Sequence, residues 1–202
     1  MVLILAWSFV LWGCLPGASP PHVVDQYVLD YAPPPPKGER LDQALGIARF
    51  SVAQTYNTTA MIHKDDPYRT VAPFYRAWRT NPGDMVTDCL VRDFRASGLF
   101  RAVFSFRSPE RPRFMIEGGI EEFLETREGD KDLAVLALEA TLLDNTALDV
   151  PGRVLFQKQY RAEEPCLDRS AEAFARAMSR AMEKLSARII ADVHTAVQKA
   201  AQ

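Results

Sequence analysis

A long amphipathic segment near the C-terminus constrains the fold more than any other feature of the sequence. Over about residues 169–200, apolar side chains recur at steps of three and four, and charged side chains lie off that line. This spacing predicts one long helix with a single apolar face. That face must be covered, and a sheet is the nearest candidate, with a coiled-coil partner helix as the alternative. The face comprises Phe174, Ala177, Met178, Ala181, Leu185, Ile189, Val193 and Val197.

A second helix has clear signals at both ends. Asn81 can cap its N-terminus, Pro82 suits the first helical position, and Asp84 favours the positive end of the helix dipole. Gly98 is a natural stop. The residues between them that share an apolar face are Met85, Val86, Cys89, Leu90 and Phe94.

Strand-like segments occur on both sides of this helix. A short one covers residues 27–29, two more cover about 45–52 and 59–63, and four follow at 100–106, 114–120, 134–142 and 154–160. Consecutive strands with short connections predict antiparallel pairing. The predicted class is therefore α+β, with an antiparallel sheet of several strands and two main helices packed on one face. We expect a single such domain over residues 25–202.

The N-terminus reads as an export signal. Residues 2–12 are apolar except for Ser8, which is too short a run to span a bilayer but the usual length for a signal peptide. The run ends in Leu11-Trp12-Gly13-Cys14, which is similar to a bacterial lipobox. We therefore predict a signal peptide over residues 1–13 and a lipid on Cys14. A buried strand or helix that begins a cytosolic fold is the alternative, because Trp12 is bulky for a lipobox and no Lys or Arg precedes the run.

A tether follows the cysteine. Residues 14–24 contain Pro16, Gly17, Pro20 and Pro21, which predict a flexible connection between the anchor and the domain. A second proline run at residues 33–36 predicts an extended loop.

Composition and motifs argue against several functions. A net charge of -2 over 202 residues argues against a nucleic-acid partner. The sequence has no Gly-rich phosphate loop, H-E-x-x-H pair or G-x-S-x-G elbow. No two of His22, His63 and His194 share metal-ligand spacing. We therefore expect no catalytic residues, cofactor or metal.

One acidic run keeps an enzymatic hypothesis open. Glu121, Glu122, Glu125 and Glu128 follow a candidate strand, and paired carboxylates can act as acid and base if their environments separate their pKa values. A solvated strand end that approaches a turn is the favoured interpretation. An envelope hydrolase that uses Glu121 and Glu122 is the competing one.

An aromatic and basic stretch precedes the first helix and has two interpretations of equal weight. It can be a loop that packs Phe74 and Trp78 into the core, with its arginines in water. It can also dock a partner protein, because aromatic residues and Arg dominate interface energetics. The residues concerned are Tyr68, Arg69, Phe74, Tyr75, Arg76, Trp78 and Arg79.

Two cysteines lie in the predicted domain. A disulfide between Cys89 and Cys166 would close a long loop and add about 3–4 kcal/mol of stability in an oxidising compartment. Two buried free thiols are the equal alternative.

From about residue 24 to residue 197 the chain resembles the ABC-type transport auxiliary lipoproteins. Three elements occur in the family's order: a strand that reaches a basic residue, a Trp, and a helix that starts with Pro and ends in a small-Gly-apolar turn. The family usually has Arg in place of Lys64. Here these elements are Met61-Ile62-His63-Lys64, Tyr75-Arg76-Ala77-Trp78, Asn81-Pro82 and Ser97-Gly98-Leu99-Phe100.

The resemblance implies a non-catalytic lipoprotein that helps an ABC transporter move lipids or other hydrophobic compounds. Its expected partners are an ABC permease and a substrate-binding protein of the mammalian-cell-entry type, and relatives form homo-oligomeric rings. Leu15 after the cysteine favours the periplasmic face of the outer membrane of a Gram-negative bacterium. An outer-membrane assembly lipoprotein that supports lipopolysaccharide or appendage export is the alternative function.

Overall fold

The structure is a computed structural model that describes residues 24–202 apart from residues 36 and 74. The predicted signal peptide, the predicted lipid site Cys14, the tether as far as residue 23, and Phe74 lie outside the described residues. Those predictions therefore remain predictions.

The described residues form ten strands and three helices. The helices are α1 Pro82–Ser97, α2 Val150–Arg153 and α3 Ala171–Ala200. A single 3-10 turn covers Gln54–Tyr56. The strands are β1 Asp25–Tyr27, β2 Leu41–Ile47, β3 Ser51–Val52, β4 His63–Asp66, β5 Arg69–Val71, β6 Arg76–Trp78, β7 Phe100–Ser105, β8 Phe114–Glu128, β9 Lys131–Asp144 and β10 Val154–Pro165.

The main sheet is built around β8. One edge of β8 pairs antiparallel with β9, which pairs antiparallel with β10. The other edge pairs with β2, β3 and β4 in succession, and all three run parallel to β8. β7 extends the sheet beside β2 in the parallel sense, and β5 pairs antiparallel with β4. Separately, β1 and β6 form a two-stranded parallel sheet.

The predicted α+β class is confirmed, but the sheet is mixed rather than purely antiparallel. The reason is the position of α1 in the chain. Because α1 lies between the early strands and β7, the chain crosses back over the sheet before β7 begins, and a crossover of this kind produces parallel pairing.

The predicted boundaries of α1 are confirmed. The Asn81 side chain accepts a hydrogen bond from the Gly83 N–H at 2.9 Å, and Pro82 occupies the first turn. Gly98 ends the helix with a φ of 63°, a left-handed conformation that suits glycine. Within the helix, the Thr87 hydroxyl donates to the Gly83 carbonyl and accepts from the Phe50 N–H, which ties α1 to the segment between β2 and β3.

Both long helices share one core with the inward residues of β8 and β9. Every residue of the predicted apolar face of α3 is buried, as are the predicted apolar residues of α1. Trp78 on β6 lies at the centre of an aromatic group. Its ring makes edge-on contacts with Phe123 at 5.3 Å and Phe174 at 5.4 Å, which joins β6, β8 and α3.

An ion pair fastens the C-terminal end of α3 to the sheet. The Arg113 guanidinium binds both carboxylate oxygens of Asp144, at 2.8–3.1 Å, and also donates to the Ala200 carbonyl at 2.9 Å. The hydrogen bonds from Arg113 hold the pKa of Asp144 well below its usual range. This contact marks the end of the sheet where β8 starts and β9 finishes, which we call the far end.

We predict that Gly118→Ala destabilises the fold by about 1–3 kcal/mol, because the added methyl group overpacks the core. A Cβ at position 118 would overlap the Glu139 carbonyl and lie 2.5 Å from the Phe50 ring. Gly119→Ala is the matched control, since its Cβ would meet only the rotatable Ser51 hydroxyl, at 2.9 Å. Urea unfolding measures both, and equal losses would contradict this account.

We predict that the contribution of Asp144 to stability is lost in acid. Its pKa is lowered by folding, so the contribution is complete above the unfolded value of about 3.9 and disappears as the pH falls through the folded value. The loss caused by Asp144→Asn should therefore be large at pH 7 and smaller at pH 3 in urea unfolding. Asp42→Asn is the control, because its ion pair with Arg101 is exposed and should contribute little at either pH. A loss for Asp144→Asn that is the same at both pH values would refute the prediction.

Candidate functional site

An extended N-terminal strap, residues 25–35 and 37–40, crosses the helices and is held at three places. The Asp30 N–H donates to the Ser179 hydroxyl at 3.1 Å. The Tyr31 hydroxyl donates to the Asp93 carboxylate at 2.7 Å. Close to the other end, the His194 Nε2–H donates to the carbonyl of residue 39 at 2.8 Å. The strap therefore follows α3 from its first turns to its last.

Asp93 is the central contact of the strap. It lies on α1 with 0% exposure, and its Oδ2 accepts from both Tyr31 and the Ser186 hydroxyl, the latter at 2.6 Å. Arg92 donates to Oδ1 at 2.8 Å, and its guanidinium lies 4.3 Å from the centre of the Tyr31 ring. Burial, followed by the nearby Cys89 and Asp93, raises the pKa of Tyr31 far above its usual value, so the phenol stays protonated and donates.

The sequence analysis missed these strap contacts, although a signal was present. Asp93 lies four residues after Cys89 and three after Leu90, both on the predicted apolar face of α1. A carboxylate on an apolar helical face must be paired when it is buried. Helical spacing alone could thus have marked Asp93, but not its partners.

The strap begins at one end of the sheet, which we call the tether end. There Asp25 lies opposite Arg76 in the β1–β6 pairing. The Arg76 guanidinium donates to the Arg169 carbonyl before α3 and lies 3.8 Å from Glu125 on β8. The strands β4, β8 and β10 all run toward this end. The tether end therefore comprises the start of β1, the β4–β5 turn, the β8–β9 turn and the β10–α3 connection.

The aromatic and basic stretch divides between the core and the tether end. Trp78 is 1% exposed and belongs to the core, as the structural interpretation predicted, so it offers no docking surface. Arg76 is engaged inside the protein by Glu125 and Arg169. Phe74 lies outside the described residues. The members with exposed or half-exposed side chains are Tyr68, Arg69, Tyr75 and Arg79.

A buried polar cluster supports this surface from beneath. Glu125 is 4% exposed, and its carboxylate accepts from His63 Nδ1 at 3.2 Å. Burial raises the pKa of Glu125, while His63 and Arg76 act in the opposite direction. The Cys166 thiol also contacts Glu125 and has its pKa raised to about 12, chiefly by burial. The cluster links β4, β6, β8 and the β10–α3 connection.

The two cysteines of the domain are free thiols. Cys89 lies on α1 beside Tyr31, and burial raises its pKa to about 11. Cys166 lies next to Glu125 at the tether end. The disulfide alternative is thus corrected: each thiol is enclosed by its own group of neighbours, and high pKa values make both poor nucleophiles at neutral pH.

The acidic run divides between the two faces of the sheet. The run occupies the last part of β8, which passes through a bulge between Ile120 and Glu122 and ends at Glu128 before a turn, as expected; the expected solvated face is wrong for Glu125, which is 4% exposed. Glu122 pairs with Arg161, whereas Glu125 lies buried on the helix side with His63. Glu121 accepts a hydrogen bond from Gln159, two residues before Arg161 on β10, so Glu121 and Glu122 lie on the same face of the sheet, opposite to Glu125, and each has its own partner.

Two further features bear on possible functions of the described residues. Among them, no three His, Cys, Asp or Glu side chains are arranged to hold a metal ion. No helix in this part of the chain combines the length and hydrophobicity needed to cross a bilayer.

One family model and several solved structures are similar to this chain. A family model described as "ABC-type transport auxiliary lipoprotein component" matches residues 27–190. Protein XCC0632 from Xanthomonas campestris, of family DUF330, is 20% identical with a TM-score of 0.80, over 89% of this chain and 99% of that chain. An uncharacterized protein is 10% identical with a TM-score of 0.68, over 85% and 99% of the two chains. The hypothetical protein CT253 from Chlamydia trachomatis is 12% identical with a TM-score of 0.53, over 78% and 98%. These structures share the fold; no curated protein sequence matches the chain.

We predict that Tyr31→Phe lowers the free energy of unfolding by about 1.5–3 kcal/mol, because the buried Asp93 carboxylate loses a donor. Tyr68→Phe is the matched control, since Tyr68 is 98% exposed, and it should change stability by less than about 0.5 kcal/mol. Denaturant unfolding measures both variants. Similar values for the two would show that the strap contact contributes little.

Proposed function

This chain belongs to the family of ABC-type transport auxiliary lipoprotein components, and on that premise we propose that it is a lipid-anchored, non-catalytic adaptor of an ABC transport system. The observation that carries the proposal is the family match, which runs from the end of β1 into α3 and so includes nearly the whole folded domain.

The anchor would be a lipid on Cys14. This cysteine follows a signal-like apolar run and lies eleven residues before β1, in a position typical of lipoproteins. Several acyl chains on one cysteine hold a protein firmly at a membrane, whereas one chain does not. Anchoring raises the local concentration of the domain near membrane-bound partners, which is a mechanism that needs no catalytic group.

The location and partners follow from the resemblance. We place the protein on the periplasmic face of the outer membrane, where it would serve an ABC permease and a substrate-binding protein of the mammalian-cell-entry type that move lipids or other hydrophobic compounds. Further copies of the chain are additional partners. The exposed residues Tyr68, Arg69, Tyr75 and Arg79 are its proposed contact surface, and Tyr68, in the β4–β5 turn, lies at the end of the domain that receives the tether.

The arrangement of polar groups supports a non-catalytic role. Two of the buried carboxylates are engaged within the protein: Asp93 by three donors, and Glu125 by His63 and Arg76. Both thiols have raised pKa values. These groups join secondary-structure elements to one another, which is a structural role.

The test uses full-length tagged protein in its native host. Cys14→Ala should move the protein from the membrane to the soluble fraction, because the lipid supplies the membrane affinity. Cys166→Ala is the control, and it should stay in the membrane fraction, since Cys166 is part of the folded domain.

Purification of the parent protein from mild detergent should recover an ABC permease or its periplasmic substrate-binding partner. Recovery of a β-barrel protein instead would favour the outer-membrane assembly function. A Cys14→Ala variant that remains in the membrane would refute the anchor.

A further inference from the structure

Two apolar side chains project from loops at the tether end. Tyr68, in the β4–β5 turn, is 98% exposed, and Leu167, in the β10–α3 connection, is 86% exposed. Val71 and Tyr75 beside the hairpin are 36% and 52% exposed. Exposure alone does not select these side chains, because Leu148 at the far end is equally exposed; their place at the end of the domain that receives the tether does.

The strand directions place both loops at the same end of the sheet. β4 runs parallel to β8 and pairs with its last part. The β4–β5 turn therefore lies beside the end of β8. β10 is antiparallel to β9 and therefore parallel to β8, so its connection to α3 leaves at the same end. The Cys166 N–H donates to the Asp132 carbonyl at 2.8 Å, which holds that connection against the β8–β9 hairpin.

The chain from Cys14 arrives at this end as well. The residues between the cysteine and β1, 15–24, span at most about 36 Å when fully extended. The strap cannot lengthen this reach while its contacts with Ser179, Asp93 and His194 hold. A lipid on Cys14 would therefore keep the tether end, rather than the far end, beside the bilayer.

We infer that the tether end rests on the lipid bilayer, with Tyr68 and Leu167 inserted among the headgroups. This inference rests on the proposed lipid anchor, and it assigns Tyr68, one member of the proposed contact surface, to the membrane. Tyrosine suits the interface because its ring is apolar and its hydroxyl stays hydrated, and leucine gains from leaving water. Membrane contact at these two loops adds to the anchor and orients the domain.

The charges around the two loops determine whether the contact requires anionic lipid. They include both signs within a few residues, namely Lys64, Asp66, Arg69, Asp130 and Arg169. An electrostatic contact would require an excess of cations facing anionic headgroups. The contact at the tether end is therefore apolar, and it forms on zwitterionic lipid with little dependence on salt.

The far end supplies a matched control. Leu148, in the loop between β9 and β10, is 99% exposed, so it resembles Leu167 in type and accessibility. It lies at the end of the sheet where Arg113 meets Ala200 and where the tether does not enter. Insertion at the tether end would leave Leu148 in water.

The experiment places a tryptophan at each position in the full-length lipidated protein, bound to phosphatidylcholine vesicles with brominated acyl chains. Trp78 is buried in every variant, and its emission is subtracted using the parent protein. Leu167→Trp and Tyr68→Trp should lose emission and shift to the blue relative to unbrominated vesicles, at low and high salt alike. Leu148→Trp should do neither.

Equal quenching at positions 148 and 167, or none at 68 and 167 while the protein sediments with the vesicles, overturns the inference and leaves the anchor standing. A protein that does not sediment with vesicles overturns both the inference and the proposed anchor. If positions 68 and 167 are unquenched, and Leu167→Asp loses the co-purified permease while Leu148→Asp retains it, the contact surface binds protein instead of lipid.

Discussion

A buried carboxylate on α1 determines how the N-terminal part of the domain is arranged. Asp93 has no contact with water, so it requires donors from its surroundings, and Tyr31, Ser186 and Arg92 provide them. Removal of one partner of a buried charge typically costs 3–5 kcal/mol, because the charge is left uncompensated. If the strap, α1 or α3 separated from the other two, the Asp93 carboxylate would lose a donor, and the domain would be destabilised. The path of the strap between its contacts with Ser179 and His194 is fixed by that side chain through Tyr31.

The helices could be predicted from the sequence because their signals are local. The cap at Asn81, the stop at Gly98 and the apolar face of α3 each depend on residues within a few turns of one another. The sheet could not be predicted in the same way. Its parallel pairs join β2, β3 and β4 to a strand more than sixty residues away, and nothing near those strands records the direction of their partner. The bulge in β8 likewise depends on its pairing with β9.

In the aromatic and basic stretch, too, the sequence alone does not show which side chains are buried. Tyr68 and Trp78 come from one aromatic and basic stretch, yet one is almost fully exposed and the other is in the core. Composition cannot separate them, because burial of Trp78 is decided by Phe123 and Phe174 from distant elements. The same applies to Cys89 and Cys166, whose spacing in the chain says nothing of the separate neighbours that enclose each thiol. A single exposed residue on a turn, such as Tyr68, has no sequence pattern that separates it from a buried neighbour of the same type.

The course of the strap along α3 has a mechanical consequence. Under the proposed lipid anchor, a pull between the membrane and a bound partner would enter the domain at the start of β1. Because the strap runs in the same direction as α3, a pull toward the tether end acts along the strap, and the contacts at Ser179, Asp93 and His194 carry the force together in shear. The same pull also shears the hydrogen bonds between the parallel strands β1 and β6. Contacts loaded together resist better than contacts opened one after another, so the strap can transmit tension to the helical layer while the sheet remains intact.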